Sequence, residues 1–186
     1  SSMMTPEQYS PPDLSRLRGV VAPEILNAVE VASAKLREAG VPHALAGGLA
    51  VGAHGYPRTT DDVDFLVGDE AYEKHAAGLV TLRVPLVAVG KVRIDLVPID
   101  PSPEEREQLR PAVESPPQSE QIPIVPLEAL VYMKLKANRQ KDIADLVELL
   151  KRGRIDADAV GRHLAGHAPG LMRKWESVRK TAAAEE

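Results

Sequence analysis

The chain alternates between segments with helical and segments with strand-like spacing of apolar residues. In the first helical segment the spacings are four, three and four, at Ile25, Val29, Ala32 and Leu36. These positions share one face of an α-helix, and Gly40 follows as a natural helix end. The same reasoning predicts helices over seven segments: 22–39, 48–55, 69–78, 127–137, 141–151, 156–165 and 169–182.

Shorter apolar runs bounded by turn residues predict four strands: 43–46, 62–67, 82–89 and 91–99. The last two are separated by a Gly90-Lys91 turn, which predicts a hairpin. In the second strand of that hairpin, side-chain alternation places Arg93 and Asp95 on one face and apolar residues on the other. A charged pair on one side of an otherwise apolar strand indicates a specific role for that face.

The order of these elements predicts an α+β fold. Helices and strands alternate early, and the later part is entirely helical, so we expect a small mixed β-sheet core flanked by helices. We expect a loose Pro- and Ser-rich arm over 1–21, the core over 22–126, and a C-terminal helical region over 127–186 packed on it. Within the core, the polar and Pro-rich segment 101–126 predicts a long, partly mobile connection with one helical turn at 104–110.

Composition excludes several function classes. The 186 residues suit one globular domain, or one domain with a small helical appendage. Aromatic residues make up only 3 %, which argues against recognition of single strands by base stacking. The absence of cysteine excludes disulfides, thiolate nucleophiles and Cys-based zinc sites, and is compatible with a reducing cytosol. No apolar run reaches transmembrane length, so we expect a cytoplasmic protein that does not engage a membrane.

The net charge of −4 gives no global basic footprint for nucleic acid. Local basic clusters are nevertheless present, and they represent either solvated helix faces or a patch for RNA or a nucleotide triphosphate. The clusters are Lys134, Lys136, Arg139 and Lys141; Lys151, Arg152 and Arg154; and Arg173, Lys174, Arg179 and Lys180.

The strongest chemical signal lies in residues 44–67. A predicted strand leads through Gly47-Gly48 into a short helix, and the next strand opens with Asp62-Val63-Asp64. Side chains alternate along a strand, so Asp62 and Asp64 point the same way, and two such carboxylates repel each other unless a cation lies between them. Hard divalent cations such as Mg²⁺ take oxygen ligands and share them with phosphates. The glycine turn at a helix N-terminus offers free N–H groups to a phosphate, so this unit predicts nucleotide chemistry.

A third acid, Asp95, lies on a later strand that could pair beside the first two. Three carboxylates from neighbouring strands can hold two divalent ions and clamp an in-line phosphoryl displacement. We therefore predict a site with two Mg²⁺ or Mn²⁺ ions at Asp62, Asp64 and Asp95. The alternative is an acidic strand edge, or an ion pair between Arg58 and Asp62.

These residues resemble the nucleotidyltransferase superfamily of DNA polymerase beta, which carries Gly-Gly or Gly-Ser, then Asp-x-Asp, then a third Asp on a later strand. More narrowly, the segment from Arg58 to Asp64 is similar to the Arg-x-Thr-x-Asp-hydrophobic-Asp signature of one branch. That branch includes the nucleotidyltransferase toxins of abortive-infection, or type IV, toxin–antitoxin systems. The segments 126–137 and 141–146 also match it, and the resemblance extends over roughly residues 22–152.

The resemblance implies a role for each matching residue. Asp62, Asp64 and Asp95 would be the catalytic metal ligands, and Asp95 could help to deprotonate the attacking hydroxyl. The nucleotide-binding positions would be Gly47, Gly48, Arg58, Thr60 and Lys134, with the glycine N–H groups on the triphosphate and Lys134 on the phosphates. Asp142 and Asp145 share a helix face and would support Lys134, Arg139 or Arg58 by ion pairing, as structural or functional residues. Gly48 replaces the serine of many relatives, which removes a hydroxyl contact to phosphate.

The resemblance thus implies a Mg²⁺-dependent enzyme that moves a nucleoside monophosphate from an NTP, such as ATP, to a hydroxyl. The acceptor would be a tRNA 3′ end or a protein side chain, and the protein would be a toxin restrained by an antitoxin. Two alternatives remain open: an enzyme with a small-molecule, antibiotic-like acceptor, and a catalytically idle nucleotide-binding module. The acidic pI and the small helical tail favour a small-molecule acceptor slightly.

Overall fold

The computed structural model describes residues 11–114 and 122–185. The strands in chain order are β1 (His43–Ala46), β2 (Val63–Val67), β3 (Tyr72–Lys74), β4 (Val80–Leu82), β5 (Ala88–Val89) and β6 (Val92–Pro98). The α-helices are α1 (Pro23–Glu38), α2 (Gly47–Ala53), α3 (Pro103–Glu114), α4 (Leu127–Ala137), α5 (Gln140–Lys151), α6 (Ala157–His167) and α7 (Met172–Ala184). Within the described residues, no helix is both long enough and apolar enough to cross a membrane.

The main sheet has four strands in the order β1-β2-β6-β5 and is mixed. β2 runs antiparallel to β1 and parallel to β6, and β5 closes the other edge antiparallel to β6. The outer edge of β1 is partly covered, because Leu45 forms an isolated bridge with Ile124. β3 and β4 form a separate antiparallel pair. The predicted α+β class, with a small mixed sheet flanked by helices, is confirmed.

Each face of the sheet is buried under a different group of helices. Val63, Phe65 and Val67 of β2 pack with α1 in one apolar cluster. Leu66 of the same strand packs in a second cluster, with α3 to α7. This alternation follows from the two-residue period of a strand. Asp64 therefore lies on the face that carries the C-terminal helices, and those helices share one core with the sheet.

The structure corrects the helix predicted over 69–78. Asp69–Ala71 is a single 3₁₀ turn, and the chain then enters β3 and turns back into β4. Tyr72 pairs with Leu82 in this two-stranded unit. After Ala71 every residue through 80 other than Tyr72 is exposed, so no apolar face is available to stabilise a helix there.

The strand predicted over 82–89 is present only at its two ends. β4 ends at Leu82 and β5 begins at Ala88. Pro85 lies between them, and proline cannot donate a hydrogen bond to a sheet ladder. The hairpin through Gly90 and Lys91 is formed, but its first strand has only two residues.

The connection over 101–126 contains more structure than a single helical turn. α3 spans 12 residues, and its buried Leu109 and Val113 anchor it to the core that contains α4. Glu104 and Glu105 lie in its first turn, where negative charge favours a helix. Residues 115–121 of the connection lie outside the described residues. The mobility predicted for this connection therefore stays a prediction there.

Residues 11–21, expected to belong to a loose arm, instead pack on the sheet core. Leu14–Leu17 forms a 3₁₀ turn, and Leu17 is completely buried. The backbone N–H of Asp13 donates to Ala53 O at 2.9 Å. Leu17 lies so close to Gly52 that a Cβ there would be 2.3 Å from its Cδ2. The remainder of the predicted arm, residues 1–10, lies outside the described residues.

Candidate active site

The turn from β1 into α2 brings the backbone against the Asp64 carboxylate. Gly47 has φ +64°, a conformation that favours glycine. A Cβ at Gly47 would lie 2.2 Å from Asp64 Oδ2, which is closer than real Cβ contacts allow. Two independent requirements therefore select glycine here: the backbone angle and the space taken by the carboxylate.

Gly48 is required for a different reason, the position of Arg58. A Cβ at Gly48 would lie 2.9 Å from Arg58 Nη2 and 3.1 Å from Nη1. The guanidinium therefore packs directly on the turn, and a serine in place of Gly48 would have to displace it. A cation thus lies where the Cβ of a serine would be, beside the backbone expected to receive phosphate.

The three predicted metal ligands lie on one region of the sheet. Asp64 and Asp95 are direct partners in the parallel pairing of β2 with β6. Asp62 is exposed and lies one residue before β2 begins. Burial, followed by the charges of Asp95 and Asp62 and a hydrogen bond to Asp95, raises the pKa of Asp64, while Lys134 opposes this shift. Asp64 is thus partly buried beside other acids, and the positive charge of Lys134 does not offset their effect on its pKa.

The donor set suits a hard divalent cation in chemistry, because it consists of carboxylate oxygens that repel one another. In residues 11–114 and 122–185, however, no group of three or more His, Asp or Glu side chains converges closely enough to hold a metal ion. Asp95 Oδ1 instead accepts a hydrogen bond from Arg93 Nε at 2.9 Å. The structure brings the three acids to one place without assembling them as a ligand set.

Behind this site, α4 and α5 carry a network of charged side chains. Lys134 Nζ lies 3.0 Å from both Asp142 Oδ1 and Asp145 Oδ2. Arg58 donates from Nε and Nη2 to the two oxygens of Asp145, each at 2.9 Å. Arg139 donates to Asp142, with Nε at 2.7 Å from Oδ2. The prediction that the two acids pair with Lys134, Arg139 or Arg58 is confirmed, and the alternative pairing of Arg58 with Asp62 is replaced by the pairing with Asp145.

The network favours the charged forms of Asp142 and Arg58. Burial by itself would raise the pKa of Asp142, but hydrogen bonds from Arg139 and Lys134 outweigh it and lower that pKa. The hydrogen bonds from Arg58 to Asp145 raise the pKa of Arg58. No buried side-chain nitrogen or oxygen in the described part of the chain lacks a hydrogen-bond partner. The network is therefore internally satisfied.

Two of the predicted nucleotide-binding residues, Lys134 and Thr60, are at least half-buried. Lys134 was expected to contact phosphates, but its side chain is buried and its ammonium lies between two carboxylates. Thr60 is half-buried in the segment between α2 and β2. The sequence assigns no specific role to Arg93, but its spacing of two from Asp95 places both side chains on one strand face. The structure shows that the two side chains are hydrogen-bonded there.

A family model described as "Nucleotidyl transferase AbiEii toxin, Type IV TA system" matches residues 73–169. No curated protein matches the chain. Among solved structures, one match is the crystal structure of an antigenic nucleotidyltransferase-like protein from Paracoccidioides brasiliensis. It has 15 % sequence identity, covers 90 % of this chain and 95 % of that chain, and has a TM-score of 0.41, a similarity too low to support any conclusion about the site.

Proposed function

The chain belongs to the family of AbiEii nucleotidyl transferase toxins of type IV toxin–antitoxin systems, and from this premise we propose that it moves a nucleoside monophosphate from an NTP to a hydroxyl group with the help of Mg²⁺. The observation that carries the proposal is the pairing of Asp64 with Asp95 on adjacent strands, with the Gly47 backbone against Asp64. This arrangement joins a cluster of negative charge to a turn whose backbone angle and close approach to Asp64 favour glycine.

Asp62, Asp64 and Asp95 would hold the Mg²⁺ ions. Bound there, Mg²⁺ supplies positive charge that neutralises the phosphate oxygens and lowers the repulsion met by an incoming hydroxyl. The raised pKa of Asp64 supports this role, because burial and then the neighbouring charges of Asp95 and Asp62 disfavour its anion, and a bound cation would relieve both effects.

In the proposed reaction the acceptor hydroxyl oxygen forms a bond to the α-phosphorus. The bond from that phosphorus to the bridging oxygen of the β-phosphate breaks, and pyrophosphate leaves with the bonding electrons. Asp95 would take the proton of the hydroxyl, since a third of its side chain is exposed at the rim of the site. Such catalysis depends mainly on positioning and charge neutralisation.

The glycine turn and Arg58 would hold the triphosphate. Ala46 makes no side-chain cap on α2, so the first N–H groups of that helix are available to an anion. The guanidinium of Arg58 lies beside Gly48 and is oriented by Asp145. Thr60, in the segment leading to β2, would support the same phosphates. Lys134 would act through its charge and through the orientation of Asp145, rather than as a free phosphate ligand.

The acceptor is proposed as a tRNA 3′ end or a protein hydroxyl, and the family implies an antitoxin as partner. A small-molecule acceptor is the second candidate, favoured by the net charge of −4 and the pI of about 5.8. The third is an idle nucleotide-binding module, which would bind NTP with metal and not turn it over.

A label-transfer experiment tests the proposal. The full chain is incubated with Mg²⁺ and each α-³²P-labelled NTP in turn, with total tRNA, with no acceptor added, or with an aminoglycoside. Asp64→Asn should reduce transfer about a thousandfold or more, because it removes about 4 kcal/mol or more of transition-state charge stabilisation. Asp61→Asn is the matched control, since Asp61 is an exposed neighbour outside the three acids, and its transfer rate should match wild type.

Each outcome assigns the acceptor or rejects the proposal. Label on tRNA supports an RNA acceptor, label on the chain itself a protein hydroxyl, and label on the aminoglycoside a small molecule. Transfer that is equal in wild type and Asp64→Asn contradicts the proposed site. Binding of NTP without transfer to any acceptor would favour the idle module.

A further inference from the structure

Arg93 forms a hydrogen bond to a carboxylate oxygen of Asp95 that the proposed metal site requires. Arg93 and Asp95 are two residues apart on β6, so their side chains share a face of the sheet. Arg93 Nε donates to Asp95 Oδ1 at 2.9 Å. The Arg93 side chain is 72 % exposed and that of Asp95 is 33 % exposed, so the pair lies at the open rim of the site.

The register of the sheet places Arg93 level with Asp62, the third predicted metal ligand. Val63 pairs with Ile94 and Asp64 with Asp95. Asp62 precedes Val63 and Arg93 precedes Ile94, so the two charged residues lie level on neighbouring strands. The guanidinium therefore stands at the end of the three-carboxylate group, the one position where a cation of the chain itself contacts a predicted ligand among the described residues.

We propose that Arg93 competes with the divalent cation for Asp95. This inference rests on the proposed function, since it concerns the same three acids. An oxygen held by Arg93 must be released before Asp95 can turn its full carboxylate to a metal ion. Asp95 is the only ion-pair partner of Arg93 in the part of the chain that the structure describes, so the guanidinium can move into solvent without breaking another pair. Arg93 is thus a positioning residue that holds Asp95 until a cation takes its place.

The strength of the pair determines how large the effect can be. Exposed ion pairs contribute about 0.2–1 kcal/mol, and about 1.4 kcal/mol corresponds to a tenfold change in affinity. Loss of Arg93 should therefore lower the Kd of the cation by a factor of about 1.4 to 5.

Binding of Mn²⁺ to the full chain tests the proposal without measuring activity. Mn²⁺ takes the same oxygen ligands as Mg²⁺, and the loss of its free electron paramagnetic resonance signal gives the Kd at one fixed pH, with no nucleotide present. Arg93→Gln should bind Mn²⁺ more tightly than wild type, and Asp95→Asn more weakly. Adding Arg93→Gln to Asp95→Asn should change nothing, because the oxygen for which the two cations compete has lost its charge. Arg93→Lys should fall between wild type and Arg93→Gln.

The same set of variants can overturn the proposal. An unchanged or higher Kd in Arg93→Gln contradicts it. Tightening that persists in the Asp95→Asn background also contradicts it, because the effect would then be the removal of a nearby charge and not competition for Asp95. Arg179→Gln removes an arginine of α7 that pairs with Asp158, and should leave the Kd at the wild-type value.

Failure of the inference is distinguishable from failure of the proposed function. If Asp64→Asn and Asp95→Asn weaken Mn²⁺ binding while Arg93→Gln does not strengthen it, the proposed role of Arg93 is contradicted and the metal site is not. If neither acid affects Mn²⁺ binding, or if the chain binds no Mn²⁺, the metal site and the role of Arg93 fall together. Thermal melting of each variant controls for folding, which the exposed Arg93 side chain should barely affect.

Discussion

Two groups of aspartates in this molecule are surrounded in opposite ways. Asp142 and Asp145 on α5 are almost completely buried, and each contacts Lys134 and one arginine. Asp64 on β2 is half-buried and faces other acids. The pKa of Asp142 is lowered, whereas that of Asp64 is raised. The anionic form of aspartate is thus stabilised at Asp142 on α5 and destabilised at Asp64 on the sheet.

The difference separates a structural use of aspartate from a functional one. In the α4–α5 network the chain supplies all the positive charge that its acids require, so the network needs no ligand. On the sheet, among the described residues, only Arg93 contacts one of the acids, and Lys134 and Arg139 add more distant positive charge. A group of acids left short of positive charge is a candidate for a cation and for phosphate chemistry.

The largest expected effect comes from breaking the satisfied network. Asp145→Asn leaves Arg58 and Lys134 without their shared carboxylate, and removing one partner of a buried pair costs about 3–5 kcal/mol. We expect a loss of that size in the free energy of unfolding, measured by urea denaturation. Asp158→Asn is the control, because its pair with Arg179 is partly exposed, and it should cost less than about 1 kcal/mol. Equal losses in the two variants would show that the network is not the stabilising element inferred here.

A second test concerns the contact between the glycine turn and the carboxylate. Gly47→Ala introduces a Cβ at a positive φ and places it against Asp64. Gly40→Ala is the matched control, since Gly40 has φ +69° and no atom within 4 Å of its added Cβ. The strained backbone should cost each variant about 1 kcal/mol, and Gly47→Ala should lose about 1 kcal/mol more, together with most of the transfer activity. Identical unfolding curves for the two variants would argue against close contact at Asp64.

The smallest effect should be a gain in stability from Asp64→Asn in buffer free of divalent ions. Like charges at directly paired strand positions destabilise a sheet by up to about 1 kcal/mol. The folded-state pKa of Asp64 lies above the ordinary value of 3.8, so the wild type loses stability as the pH rises from there through the raised pKa. The gain should therefore be small below pH 3.8 and reach its full value above the raised pKa.

Thermal melting across pH with both proteins measures this difference. Adding Mg²⁺ should then stabilise the wild type, by about 1.4 kcal/mol at ten times its Kd, and should stabilise Asp64→Asn less. A variant that is less stable than wild type at neutral pH would contradict the charge imbalance on the sheet.

Some elements could be predicted because their patterns are local. α1, α4, α5 and β2 follow from apolar spacing and from their boundary residues, whereas the register that pairs Asp64 with Asp95 is set by the packing of β2 on β6. The segment 69–78 could not be predicted in the same way. Its residues suit a helix in isolation, but the structure provides no surface for that helix to cover, and the chain forms β3 and β4 instead.

The candidate site likewise combines features that the sequence predicts with features that only tertiary packing sets. Sequence alone determined the carboxylates, the glycine turn and the family resemblance, because these depend on residue types at short spacings. The sequence predicted ion pairs of Asp142 and Asp145 with Lys134, Arg139 or Arg58. Only the tertiary structure decided which acid pairs with which cation, that Arg58 packs on Gly48, and that Arg93 holds Asp95. Ion pairing is a matter of a few ångströms between side chains, and for Arg58 and Asp145 the partners are 87 residues apart. The distances that turn a charged residue into a ligand, a support or a competitor are therefore set by the packing of the elements that carry it.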